Sequence, residues 1–316
     1  MTAIATSRAG ILVGPTAVGK TAVAQWLAEQ SGCSILSADS MLVYRGMDIG
    51  TAKPTAVERG GVPYFGIDCV APGAPFGTGE WLAYVAKERK ARPKDAARPL
   101  IVAGGPGLYV KALLEGLDSP VASDPAERAK WNDFFAREGI DGLKRAVVER
   151  HCEALLAPSD RENPRRLIRA LERAAAGETS RGEWKTAPER VPVAGLLMDR
   201  GVLNNRIWRR IEKMFADGLV EEALSVRASS GSLSSTACKA IGYEEALAVA
   251  DGTMGQEEAM ERIAARTRRL AKHQMTWFRH QMAVEWVEVK DGESPESVGA
   301  RVQEIWGKHG LSEIRI

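Results

Sequence analysis

The residues best suited to chemistry stand near the start of the chain. Gly14-Pro15-Thr16-Ala17-Val18-Gly19-Lys20-Thr21 fits the pattern G-x-x-x-x-G-K-[ST]. Glycines let such a backbone curl until consecutive N–H groups converge on an anion. A helix that begins where the loop ends adds free N–H donors and the positive end of its dipole. Lys20 is then placed to neutralise phosphate oxygens, and Thr21 to ligate Mg²⁺. A diphosphate or triphosphate is the expected ligand, and the loop does not say which. The plainer alternative is a glycine turn that only caps a helix.

A second candidate is Ser37-Ala38-Asp39-Ser40, expected on the same sheet edge, one strand from the loop. A carboxylate there can ligate a metal or act as general base toward a substrate beside the phosphates. Asp and Ser also favour turns and helix starts, so residue type alone leaves the matter even. Residues 44–54 hold Arg45, Lys53, two glycines and a proline, which suggests a structured loop over an anion, with ordinary solvated loop charges as the alternative.

These residues need a frame. Residues 10–14, 34–38 and 99–103 read as short buried strands, and 20–30 and 79–94 as helices. Strand and helix in alternation give a parallel sheet with helices on both faces and ligands at the carboxyl ends of the strands. From about 118 to 183 the strand signals stop and the pattern is helical, rich in Arg, Glu and Ala. Residues 177–192 read as a connector, 191–198 as a returning buried strand, and 201–281 as mostly helix. The expected class is therefore α/β, a P-loop NTPase-like parallel sheet core with a helical insertion. The core is 1–117 with 191–316, and the insertion 118–190.

The length of 316 residues allows a sizeable core, and 45% hydrophobic with 27% charged residues is ordinary for a globular chain. With a net charge of only +2, any nucleic-acid role must come from local patches. The four cysteines are scattered with no C-x-x-C pair, which argues against a zinc knuckle or a redox motif and suits a reducing cytosol. No signal peptide and no membrane span is expected, so the protein is expected to be cytoplasmic.

One local patch is clear. Between 262 and 284 there are six Lys or Arg and no acid. At about 3.6 residues per turn, Arg262, Arg266, Arg269 and His273 share one helix face, and Arg268, Lys272 and Arg279 the adjoining one. Ile263, Leu270 and Trp277 recur at seven-residue spacing and are expected to face the core. A one-sided basic helix suits a phosphate backbone, and a solvated charged helix is the bland alternative. Trp277 and Phe278 could stack on bases, but core packing is the better expectation for Trp277. Arg165, Arg166 and Arg169 form a second cluster, with Arg128 a weaker candidate beside it. Two separated patches suit a clamp around a stem-loop.

The phosphate loop followed by residues 37–54 resembles the tRNA dimethylallyltransferase (tRNA isopentenyltransferase) family. So do Gly104-Gly105-Pro106-Gly107-Leu108-Tyr109, the helix at 165–172, Ala240-Ile241-Gly242-Tyr243, and the Thr276-Trp277-Phe278-Arg279 stretch. The resemblance runs from about 10 to 280. It implies transfer of the dimethylallyl group from dimethylallyl diphosphate to N6 of adenine 37, in tRNAs reading codons that start with U. It implies a P-loop holding the donor's diphosphate through residues 14 to 21, with Mg²⁺ as cofactor and Thr21 its ligand. Asp39 would be the base, and Lys20, Thr21 and Arg206 would hold charge on the leaving group. Contacts to the tRNA anticodon stem-loop would come from Asp39, Ser40, Met41, Leu42, Pro106, Arg128, Arg165, Arg166, Leu167, Ile168, Arg169, Lys239, Lys272, His273 and Arg279. A monomer is expected.

Six positions depart from the family pattern. Pro106 replaces a threonine, Leu42 a glutamine, Glu244 a basic residue and His273 an arginine, and Tyr64-Phe65 stand where histidines are common. Three other activities stay open on the sequence: prenylation of free adenine nucleotides, an ATP-dependent P-loop kinase, and a weakly catalytic RNA-binding paralogue.

Overall fold

Residues 6–13 sit at the centre of the architecture. Thr6–Val13 is β1, and Ala9, Ile11, Leu12 and Val13 are each at most 1% exposed. A strand buried on both faces needs an unbroken apolar run, which is what these residues supply. The structure is a computed structural model and describes residues 6–117, 124–180 and 193–316. The chain divides into two compact units, Met1–Leu114 with Pro188–Ile316, and Glu115–Ala187.

In the larger unit the order is β1, α1 (Lys20–Ser31), β2 (Ser34–Ala38), α2 (Ala56–Arg59), β3 (Tyr64–Phe65), α3 (Thr78–Ala91), α4 (Pro93–Ala96), β4 (Leu100–Gly104) and α5 (Gly107–Glu115). The smaller unit holds α6 (Pro125–Glu149) and α7 (Pro164–Ala175). The larger unit resumes with β5 (Val193–Leu197), α8 (Arg200–Ala216), α9 (Leu219–Ser230), α10 (Tyr243–Ala250), α11 (Gln256–Gln281), β6 (Val284–Glu288), α12 (Pro295–His309) and β7 (Ser312–Arg315). The strand order is β3-β2-β4-β1-β5-β6, all parallel, with β7 antiparallel to the start of β1.

Three details differ from the sequence reading. The helix expected over 79–94 is two helices, because Pro93 forces Arg92 out of helical geometry (φ −124°, ψ 61°) and then starts α4. The final segment adds β6, α12 and β7, for which no expectation was drawn. Strand β4 lies between β2 and β1, so Asp39 leaves the sheet two strands from the phosphate loop, not one. The connector expected at 177–192 lies outside the described residues from 181 onward.

The smaller unit has its own core of Trp131, Leu143, Val147, Leu155, Leu167, Ile168 and Leu171. In α7 the apolar residues take one stripe while Arg165 and Arg166 are exposed. Among the described residues, no helix is long and apolar enough to cross a membrane.

Candidate active site

Register sets the site. Gly104 pairs with Ala38 on one side and Val13 on the other, so β2, β4 and β1 end level. Three loops leave this edge side by side: Gly14 onward, Asp39 onward, and the turn at Gly105 and Pro106. The turn must be glycine-rich, since a Cβ on Gly104 would stand 2.4 Å from the Ala38 carbonyl oxygen.

The first loop wraps as its pattern requires. Gly14 has φ +147° and Gly19 φ +104°, the latter capping α1 just before Lys20. Lys20 Nζ donates to the carbonyl oxygens of Gly14 (2.9 Å) and Pro15 (2.7 Å). Burial pulls the ammonium down to a pKa of about 8, the Asp39 carboxylate opposes that, and Arg210 adds to it. The Arg206 guanidinium reaches the same place, 3.4 Å from where a Cβ on Gly19 would stand.

Asp39 does two things. One carboxylate oxygen accepts the Met41 N–H at 2.8 Å and the Leu42 N–H at 3.4 Å, which fixes the turn after β2. The side chain also lines a cavity of ≈ 280 Å³, together with Thr16, Lys20, Ser40, Met41, Pro106 and Lys239. The lining is also apolar in part: Ile207, Ile211 and Met214 from α8, and Ile263 and Leu270 from α11, with Arg210, Thr267 and Gln274 of the same helices. A smaller recess beyond Asp39 holds Lys20, Thr21, Leu42 and Tyr64. Cations and one carboxylate in a partly apolar lining suit a ligand with a charged head and a hydrocarbon body.

An IPP transferase family model matches residues 42–281, and an isopentenyl transferase model matches 7–63. The chain belongs to the IPP transferase family. The tRNA dimethylallyltransferase of Geobacillus thermodenitrificans is 37% identical over 314 residues, covering 95% of this chain and 96% of that one. That of Anaeromyxobacter sp. (strain K) is 40% identical over 285 residues, covering 88% and 92%. Among solved structures, the full-length tRNA isopentenylpyrophosphate transferase of Bacillus halodurans aligns with a TM-score of 0.67 at 34% identity. It covers 95% of this chain and 96% of its own. The family and the P-loop α/β class expected from the sequence are both borne out.

The loop at 44–54 corrects one expectation. Lys53 is 7% exposed, and its ammonium is saturated by the Tyr44 carbonyl, Asp48 and Asp68, each at 2.6 Å. Arg45 donates to the Asp68 and Cys69 carbonyls. Both cations are taken up by carboxylates or carbonyls of the chain itself. The loop is braced again by Glu222, whose carboxylate accepts the N–H groups of Asp48, Ile49 and Gly50 and the Tyr243 hydroxyl. The carbonyl of Thr51 then anchors Arg210 at 3.2 Å on the cavity wall.

Helix α11 corrects another. Ile263 is buried and Trp277, partly buried, packs against the core as expected, but Leu270 is 40% exposed, and the fully buried aromatic is Phe278 at 0%. The buried stripe of Ala264, Ala271 and Phe278, with Gln274 between the last two, keeps the seven-residue spacing but lies one position later, about 100° further round the helix. On its outer side Arg262, Arg268, Arg269, Lys272, His273 and Arg279 are exposed. Arg266 instead pairs with Glu244 (3.0 Å) and Glu245 (2.5 Å).

In the smaller unit Arg128 grips the buried Glu172 with two bonds of 2.6 and 2.9 Å, and Arg169 joins at 3.2 Å. Leu167 and Ile168 face that unit's core. Arg210 and Gln274 are among the cavity residues that carried no expectation. Arg210 stands one turn from Arg206, a spacing visible in the sequence. Gln274 gave no signal beyond a polar residue on an apolar stripe.

Proposed function

We propose that this enzyme moves the dimethylallyl group of dimethylallyl diphosphate to N6 of adenine 37, in tRNAs reading codons that start with U. The observation that carries the reading is that Lys20 and Asp39 open into one cavity lined in part by apolar side chains. Family membership supplies the two substrates.

The chemistry follows from those groups. An exocyclic aromatic amine is a weak nucleophile because its lone pair is delocalised into the ring. Asp39 lies where it can hold the amine in position and accept its proton as the N6–C1 bond forms. The C1–O bond of the donor breaks in the same event, and the diphosphate leaves with the electron pair. Lys20 and Arg206, with loop N–H groups, hold the growing negative charge in a water-poor site. The hydrocarbon lies against Ile207, Ile211 and Met214. The adenine must leave its stack to reach this depth. Outside the larger cavity, the exposed cations of α11 take the RNA backbone. Arg165 and Arg166 of the insertion take it in the same way.

Mg²⁺ fits the donors present. Among the described residues, no group of three or more His, Cys, Asp or Glu could hold a metal. Mg²⁺ needs no such cage, since it uses one or two protein oxygens with substrate phosphates. Thr21, beside Asp39 in the smaller recess, is the residue that would hold it. When bound, it supplies positive charge to the diphosphate oxygens.

The test is transfer of label from dimethylallyl diphosphate to tRNA, run beside AMP as acceptor. Transfer to tRNA that Asp39→Asn abolishes, with diphosphate binding kept, is the expected result. Full activity in Asp39→Asn removes that residue from the mechanism, and labelling of AMP alone replaces the acceptor.

A further inference from the structure

Gln274 is a polar side chain on the buried stripe of α11, 9% exposed, and it is used. Its carbonyl oxygen accepts the Thr16 N–H at 2.8 Å. A loop of this pattern normally aims such N–H groups at its anion. The side-chain nitrogen lies against the turn after β4, where a Cβ on Gly105 would stand 2.4 Å from it. Three residues on, the Trp277 ring fills the space over Gly107, where a Cβ would come within 1.9 Å. One helix therefore holds the phosphate loop through Gln274 and the neighbouring turn at two points. The opposite face of that helix carries Arg269, Lys272 and Arg279, all exposed, with His273 on its flank.

We propose that Gln274 is a positioning residue that couples acceptor binding to donor binding. Resting on the reading above, RNA docks on the outer face of α11, and the diphosphate docks in the loop that Gln274 holds from the inner face. RNA that fixes the helix also fixes the amide shaping the loop, so the second ligand meets a loop already ordered. The coupling is reciprocal, because it is a property of the ternary complex.

The experiment measures the affinity of inorganic pyrophosphate with Mg²⁺, with and without a synthetic anticodon stem-loop, by calorimetry. The wild-type protein should bind pyrophosphate about fivefold or more tightly with RNA present, at the low end of common couplings. Gln274→Leu keeps the size but cannot accept the Thr16 N–H. It should bring the ratio to about one while leaving RNA affinity within roughly twofold, since the outer face is untouched. Gln274→Glu still accepts that N–H and should keep part of the ratio, which separates the hydrogen bond from packing and serves if Gln274→Leu does not fold. A purely structural role lowers melting temperature and both affinities while leaving their ratio unchanged. An unchanged ratio in a folded Gln274→Leu protein, or no coupling in the wild type, overturns the inference while prenyl transfer stands. No RNA binding and no transfer sinks both.

Discussion

Two lysines on two loops make the most instructive contrast in this molecule. Lys20 and Lys53 are both withdrawn from water, yet their partners differ. Lys53 meets two carboxylates and a carbonyl, so its charge is compensated on the spot. Lys20 hydrogen-bonds only carbonyl oxygens, and its ammonium is held down to a pKa of about 8. A buried cation with carboxylate partners is a strut. One left with carbonyls alone still has charge to give a ligand.

The sharpest way to break the contrast is to replace each lysine with methionine. Lys20→Met should lower kcat/KM on the order of 10³-fold, the cost of losing a preorganised donor to a developing anion. Its melting temperature should hold or rise, because a desolvated charge is removed. Lys53→Met should do the reverse. It loses three strong hydrogen bonds, but Asp48 and Asp68 are half-exposed and can rehydrate, so the loss is about 2 kcal/mol of stability. Stability curves and steady-state kinetics on the two variants decide it. A Lys53→Met protein that is stable but inactive puts that lysine in the site after all.

A pH titration sharpens the same contrast. Folding lowers the Lys20 pKa to about 8 from the ordinary 10.5. The unfolded chain therefore binds more protons between those values. The lysine's penalty on stability is full below pH 8 and is relieved as pH rises toward 10.5. A bound diphosphate favours the charged form, so binding takes up a proton once the free lysine is neutral. Affinity for a non-reacting diphosphate analogue should be flat below pH 8 and fall by about tenfold per unit above it. In Lys20→Met the inflection should vanish. An inflection that survives belongs to another group.

The same physics explains what was readable in the sequence. The phosphate loop was legible because its glycines, Lys20 and Thr21 are contiguous, and the geometry they impose is local. Strands β1, β2, β4 and β5 were legible as apolar runs, since a strand buried on both faces needs nothing else. The position of β4 between β2 and β1 was not, because strand order is a matter of crossover and no residue encodes it alone. The anion reading of 44–54 failed for a related reason. Asp68 and Glu222, which satisfy that loop, lie 15 and 174 residues from the atoms they bind. Gln274 reaches across 258 residues to Thr16, and its amide is one of many in the chain.

Arg266 is the intermediate case, and it gives the smallest effect. On spacing it belongs to the basic face of α11, but Glu245, 3% exposed, and Glu244, 74% exposed, both accept its guanidinium. The buried carboxylate also receives the Gly242 N–H, so it is fixed in place. Glu244→Gln removes only the outer partner. Arg266 should stay on Glu245, and RNA affinity should rise by no more than about threefold at physiological salt, through the lost negative charge alone. Glu245→Gln weakens the inner anchor and releases Arg266 toward solvent. RNA affinity should then rise further and depend more steeply on salt, as one more cation reaches phosphate. Filter binding of an anticodon stem-loop across a salt series reads both variants. Equal salt slopes for the two substitutions mean that Glu245 does not hold Arg266 back, and the division between strut and ligand cation does not extend to α11.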